Sequence, residues 1–176
     1  TADAVLKQLF EIQVADAEYV LILAGDHLYR MDYAEMAEFH WKNKADITVA
    51  VQPVAQSDAT RFGLLKREPD CRISDFVEKP KGPEVQKKFM SRDDPKRPFL
   101  GSMGIYMFNT EVLVNLLTYH PKHDDFGTDI IPEAIHSHAV YGFDLDGYWQ
   151  DIGTIRAFYE TNLELTSSNS PFNFYD

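Results

Sequence analysis

The chain has 176 residues, 44% of them hydrophobic, enough for one domain with a sizeable core and too many for a disordered chain. With 17 basic residues against 28 acidic ones its net charge is −11, a field that repels nucleic acid, and no stripe of Lys and Arg interleaved with aromatics relieves it. No apolar run reaches the length of a membrane span, the first residues carry no signal-like pattern, and the single cysteine, Cys71, excludes an internal disulfide, as fits a cytoplasmic protein.

In chain order, residues 1–13 predict a helix with Val5, Leu6, Leu9 and Phe10 on one face and Thr1 or Asp3 as its cap. Residues 19–24 (YVLILA) are a short continuous apolar run, the mark of a strand buried on both faces, and it stops at Gly25-Asp26. A helix over 33–43 and a β-branched strand over 47–51 follow. This strand–helix–strand order predicts a parallel, layered α/β sheet. Further strands are expected near 63–66, 73–78 and 101–108, and the polar stretch 81–98, with its glycine and prolines, reads as a surface excursion. Helices are expected over 110–119 and around 131–137, then a last strand near 140–145 and a final helix from about 154. Residues 1–166 read as the domain and residues 167–176, rich in Ser, Asn and Pro without a period, as the start of a linker. A doubly wound fold normally begins with a strand and a phosphate-binding turn, yet residue 1 already falls in a helix and no glycine-rich loop occurs. The chain is therefore expected to be truncated at both ends.

An anionic substrate must be received here by a few focused cations or a metal ion, because the overall field is negative. Asp26 stands at the carboxyl end of the first apolar run, where open α/β sheets bind ligands, and Gly25 lets a ligand or metal approach the backbone. Asp26 suits a divalent cation, although alone it reads equally well as a cap of the next turn. Its candidate partner is Asp151, in Tyr148-Trp149-Gln150-Asp151-Ile152-Gly153-Thr154, whose plainer reading is the cap of the final helix. Magnesium with a triphosphate takes one or two carboxylates and completes its shell with phosphate oxygens and water, a need that two Asp residues from distant strand ends meet. In Phe76-Val77-Glu78-Lys79-Pro80, Lys79 suits a phosphate and Glu78 the hydroxyls of a sugar, against the plainer reading of a solvated ion pair. The histidines show no metal spacing: His136 and His138 share no helix face, His120 and His123 flank a turn, and most are expected in solvent. His27 is expected to shape the site beside Asp26 without transferring a proton, and Cys71 to be inert.

Together these stretches resemble, along nearly the whole chain, the nucleotidyltransferase family that builds nucleotide sugars from a nucleoside triphosphate and a sugar-1-phosphate. Thr1-Ala2-Asp3-Ala4 resembles the end of a segment lying near the nucleotide base, residues 23–33 (LAGDHLYRMDY) the metal segment, and FVEKP the sugar-phosphate segment. Arg61-Phe62-Gly63, residues 101–106 (GSMGIY), residues 125–132 (DFGTDIIP) and the stretch around Asp151 resemble the bacterial members that form ADP-glucose. The resemblance implies a Rossmann-like layered α/β fold, with a mixed, mostly parallel sheet flanked by helices. It implies glucose-1-phosphate contacts at Gly63, Glu78, Lys79 and Ser102, Trp149 near the sugar, Thr1 near the nucleotide, and magnesium on Asp26 and Asp151. Asp26, Lys79 and Asp151 are then the catalytic group of an enzyme making ADP-glucose and pyrophosphate from ATP for glycogen or starch. The family's glycine-rich strand-turn and the C-terminal β-helix used for allosteric control are missing. The chain alone is thus expected to have little activity and an exposed sheet edge, and its parent to be a homotetramer. Two other readings stay open: a catalytically silent sugar-phosphate-binding or regulatory module, and a pyrophosphorylase for uracil, thymine or cytosine nucleotides.

Overall fold

Where one opening helix was expected there are two, α1 (Ala2–Leu6) and α2 (Leu9–Val14), broken at Lys7 and Gln8. They begin a computed structural model that describes residues 1–119 and 122–171. Strand β1 (Tyr19–Ile22) is half-buried along its whole length, where burial on both faces was expected. The reason is its single strand neighbour among the described residues. After the short β2 (His27–Tyr29) comes α3 (Tyr33–Lys42), whose cap Asp32 accepts a hydrogen bond from the Ala34 N–H at 2.8 Å. Then follow β3 (Ile47–Val54), β4 (Leu64–Arg67), β5 (Ile73–Val77), α4 (Pro83–Lys88) and the long β6 (Phe99–Asn109). Helix α5 (Thr110–Tyr119) leads to a π-helical turn (Phe126–Ile130) that runs into α6 (Ile131–Ala134). The described chain closes with β7 (Val140–Asp144), β8 (Trp149–Asp151) and α7 (Ile155–Leu165). Residues 167–171 form no helix or strand, and the rest of the expected linker lies outside the described residues.

The fold class is the one expected, a mixed α/β sheet flanked by helices. Its path is β5-β4-β6-β3-β7, with β1 also paired to β6. Strands β1, β3 and β4 each run antiparallel to β6, β5 runs antiparallel to β4, and β7 is parallel to β3. It follows that β1, β3, β4 and β7 point one way and β5 and β6 the other. The β1–α3–β3 unit therefore does deliver two strands of the same direction, but β6 is inserted between them.

Strand β3 reads as a continuous apolar run because both of its faces are covered. Ile47, Val49 and Val51 pack with Leu113, Leu117 and Ile131 on one face, joined by Leu6 and Leu9. Ala50 turns to the other face, where it meets Met36 of α3 and Met103, Ile105 and Met107 of β6. The alternation of Val49 and Ala50 across the strand makes three layers of the domain. Thr48, on the α3 side, meets a buried histidine, contrary to the solvated positions expected for most of them. His40 lies between the Thr48 hydroxyl at 2.7 Å and the Asn109 amide oxygen at 3.0 Å. The expected surface excursion is also part core, since Gln86 is buried and Phe89 packs with Val54, Leu64 and Phe99. His120 lies outside the described residues. Among the described residues no helix is long and apolar enough to cross a membrane.

Two irregularities position the site. Register in the β3–β6 ladder jumps from Val49↔Tyr106 to Val51↔Ser102, leaving Met103, Gly104 and Ile105 opposite Ala50. Such a bulge kinks the strand, and Gly104 carries it at a φ of +66°, a region open to glycine. The second is a separate antiparallel ribbon in which β2 pairs with β8, His27 opposite Asp151 and Tyr29 opposite Trp149.

Candidate active site

Asp26 lies in the turn between β1 and β2, and Asp151 is the last residue of β8. The ribbon brings them side by side, and the Ile152 N–H, donating to the Asp26 carbonyl at 3.0 Å, closes its end. A Cβ on Gly153 would sit 2.9 Å from Asp26 Oδ2 and 3.1 Å from Asp151 Oδ1, so both carboxylates lean over the one residue that has no side chain. Asp151 is not the cap of the final helix. That cap is Thr154, whose Oγ1 accepts from the Ala157 N–H at 3.1 Å, while Asp151 Oδ1 accepts from the Gly153 N–H at 2.8 Å. Among the described residues no group of three or more His, Cys, Asp and Glu side chains has the arrangement of a metal cage. The pair of carboxylates is instead the donor set suited to magnesium that arrives with phosphate oxygens and water.

Around this pair stands an aromatic wall. Trp149 lies between His27, ring centroids 4.8 Å apart, and Phe62, 5.4 Å apart. Trp149 Nε1 and His27 Nδ1 are buried without a hydrogen-bond partner, a state that costs free energy until a ligand or water meets it. His27 Nε2 stands 3.6 Å from Asp26 Oδ1. Arg61 reaches Asp151 Oδ2 through Nη2 at 3.6 Å and Asp58 Oδ1 through Nη1 at 3.4 Å, with its guanidinium 5.6 Å from the Phe62 ring centre.

The opposite end is built on the sheet. Glu78 follows β5, and its Oε2 occupies a slot between two glycines: a Cβ would meet that oxygen at 2.6 Å from Gly63 and at 2.5 Å from Gly127. Burial pushes the Glu78 carboxyl up from its ordinary value; Lys79 opposes the shift and Asp125 adds to it. Lys79 Nζ is 3.3 Å from Glu78 Oε1 with most of its side chain in solvent. Its backbone takes a φ of 43°, held by its N–H donating to the Phe62 carbonyl at 3.2 Å. A non-glycine residue there carries about 1 kcal/mol of strain, which fixes where the ammonium leaves the chain. Ser102 is buried, with Oγ accepting from the Gly104 N–H at 3.3 Å and 3.5 Å from the Tyr106 hydroxyl. Its N–H donates to the Gly63 carbonyl at 2.8 Å, tying the bulge to the Glu78 slot. Burial also raises the Tyr106 phenol well above its ordinary value.

Asp125 caps the π-helical turn, with Oδ1 accepting from the N–H groups of Gly127 at 2.9 Å and Thr128 at 3.0 Å. Thr1 donates its hydroxyl to Asp125 Oδ2 at 2.9 Å. Burial alone would raise the Asp125 carboxyl, but the Thr128 N–H, the Thr1 hydroxyl and amino group, and the Gly127 N–H outweigh it and hold the carboxyl below its ordinary value.

Thr1, Asp26, His27, Gly63, Glu78, Lys79, Ser102, Trp149 and Asp151 all line one cleft of about 420 Å³, whereas Gly25 does not. Volume alone would have pointed elsewhere, since a groove of about 840 Å³ beside Arg30 and Asp146 is larger. That groove carries Arg30, Asp32, Glu35, Asp144 and Asp146, but none of the residues assigned to the site from the sequence. Sequence reasoning missed Arg61, Phe62, Tyr106, Asp125 and Gly127, which line the cleft as well. All five stood in stretches that carried the resemblance. Their only local signals were an Asp two residues before a glycine, which suits a cap, and an aromatic beside an arginine. In a comparison with known protein families, the model for nucleotidyl transferase matches residues 1–168.

Proposed function

The chain belongs to the nucleotidyl transferase family, and we propose that its cleft serves the formation of ADP-glucose and pyrophosphate from ATP and glucose-1-phosphate, with magnesium as the metal. The observation that carries this reading is the polarity of the one cleft, with a buried polar chamber at one end and a pair of convergent carboxylates at the other.

In this reading Glu78, Asp125 and Ser102 accept or exchange hydrogen bonds with the glucose hydroxyls, and Trp149 covers the ring and offers its unpaired indole N–H. The Asp125 carboxyl, held below its ordinary value, stays an acceptor down to low pH. Lys79, a compact charge on a fixed backbone, receives the sugar phosphate. The attacking atom is an oxygen of that phosphate, and its second ionisation, near pH 6 as a rough value for phosphate monoesters, leaves it ionised at neutral pH. No general base is needed. The oxygen forms a bond to the α-phosphorus of ATP as the bond to the bridging oxygen breaks, and pyrophosphate leaves with that electron pair. The protein's share is alignment and charge. Asp26 and Asp151 are the residues that would hold magnesium, which when bound supplies charge neutralisation at the α-phosphate and leaving group.

Calorimetric titration of glucose-1-phosphate with magnesium tests this, on the chain and on Lys79→Ala after circular dichroism shows both folded. Affinity should fall at least tenfold in the variant. Equal affinity would remove Lys79 from the phosphate and with it the sugar-phosphate reading. Competition between ATP and UTP tests the base, and a preference for UTP would overturn ADP-glucose as the product.

A further inference from the structure

The side-chain charges of the cleft do not match the substrates proposed for it. Asp26, Glu78, Asp125 and Asp151 line it against Lys79 and Arg61, so an anionic ligand enters a net negative chamber. Each cation is moreover already engaged, Lys79 with Glu78 and Arg61 with Asp151 and Asp58. The two engagements differ in kind. Lys79 is fixed at its backbone and bound to its chain neighbour, whereas Arg61 reaches Asp151, far away in sequence, across the face of Phe62.

We propose that Arg61 is a phosphate-binding residue held in reserve: its guanidinium is kept at the cleft by Asp151 and is released toward a pyrophosphoryl group when the charge of Asp151 is neutralised. This rests on the proposed function, which places the nucleotide's phosphates at the Asp26–Asp151 end.

Three observations carry it. The contact with Asp151, at 3.6 Å, is longer than a charge-assisted hydrogen bond of about 2.8 Å, so it holds the guanidinium nearby without a locked geometry. The Arg61 side chain is 44% exposed and lies over the Phe62 ring. It also lines both the cleft and a groove of about 560 Å³ beside Thr154 and Arg156, so its guanidinium borders both spaces. A guanidinium presents a planar fork that binds phosphate oxygens in pairs, which an ammonium does not. The arrangement also orders events: Arg61 is occupied while Asp151 is an unshielded anion and becomes available as that charge is matched. A divalent cation seated on the two carboxylates is the natural source of that match.

The test needs no turnover and no metal. Inorganic pyrophosphate is titrated in the presence of a chelator into the chain, Asp151→Asn, Asp26→Asn and the double variant Arg61→Met/Asp151→Asn. Asp151→Asn should tighten binding at least tenfold, because it removes a repelling charge and leaves Arg61 with Asp58 as its remaining carboxylate partner. Asp26→Asn removes a charge in the same pair but frees nothing, and its gain should be severalfold smaller. In the double variant the gain should vanish, while Arg61→Lys/Asp151→Asn, which keeps the charge and guards against a fold defect, should retain part of it. Equal gains for Asp151→Asn and Asp26→Asn would overturn the proposal, as would a gain that survives in the double variant. Loss of glucose-1-phosphate binding in Lys79→Ala is read separately, at the other end of the cleft, so failure of the functional reading and failure of this inference are distinguishable.

Discussion

The two ends of the cleft are built by different means. The chamber end stands on the six-stranded sheet, and Ser102 and Tyr106 are almost wholly buried and linked to each other and to the bulge. The Glu78 carboxylate sits against Gly63 and Gly127, in space that a Cβ at either position would take. The carboxylate end stands on a ribbon of two three-residue strands, with the Asp26 side chain 66% exposed and Arg61 in a loose, shared contact. A sheet held on both faces can preform a rigid site, because any shift must disturb a close-packed core. A short ribbon cannot, and its residues take their final positions from what binds to them.

Substitution of the glycines sharpens this contrast most. A Cβ at Gly63 would stand 2.5 Å from Phe76 Cζ, a ring packed in the core, as well as 2.6 Å from the Glu78 carboxylate. Gly63→Ala should therefore destabilise the domain by about 1–3 kcal/mol, as overpacking does, and abolish glucose-1-phosphate binding; thermal melts and calorimetry measure both. At Gly153 the Cβ would meet only carboxylate ends, at 2.9 and 3.1 Å, which can swing away. Gly153→Ala should leave the melting temperature nearly unchanged and weaken magnesium-dependent binding alone. A large loss of stability in Gly153→Ala would break the comparison, because the ribbon would then be as rigid as the sheet.

Glu78 gives an effect of intermediate size. Its folded value is raised by burial, so its contribution to stability is present in full below the ordinary value of 4.5 and is lost as pH rises through the raised folded value. Glu78→Gln, which cannot ionise, should raise the melting temperature at pH 7 while weakening sugar-phosphate binding. A variant that is less stable at pH 7 would show that Lys79 more than offsets the burial of the carboxylate.

The smallest effect belongs to His40, buried on α3 between Thr48 and Asn109. Burial holds its imidazole below the ordinary value of 6.5, against weaker opposing effects of Asn109 and Asp46. Its share of stability is present above pH 6.5 and is lost as pH falls from there through the lowered folded value. Unfolding by urea from pH 7 to pH 5 should show this loss, opposite in sign to that of Glu78, and His40→Gln should remove it. A pH dependence unchanged in His40→Gln would place its origin in another group.

Much of the frame was legible because its signals are local. The apolar run of β3, the periods of α3 and α5, and the Thr154 start of α7 each depend on residues within a few positions of one another. Asp26, Glu78, Lys79 and Asp151 were legible by residue type and by their place at strand ends. Asp125 was legible only as a cap, because its place near Glu78 is not a property of the stretch in which it stands.

What the sequence determined by itself is the set of elements and the kind of chemistry its polar residues can perform. Tertiary structure decided the insertion of β6 between β1 and β3, the bulge that carries Gly104, and the pairing of β2 with β8. A three-residue strand is too short to show a period, so nothing in residues 27–29 or 149–151 announces that they meet. Their pairing follows from which surfaces remain once the core has closed, and that is why the distance between Asp26 and Asp151, on which the proposed chemistry depends, belongs to the fold and not to either segment.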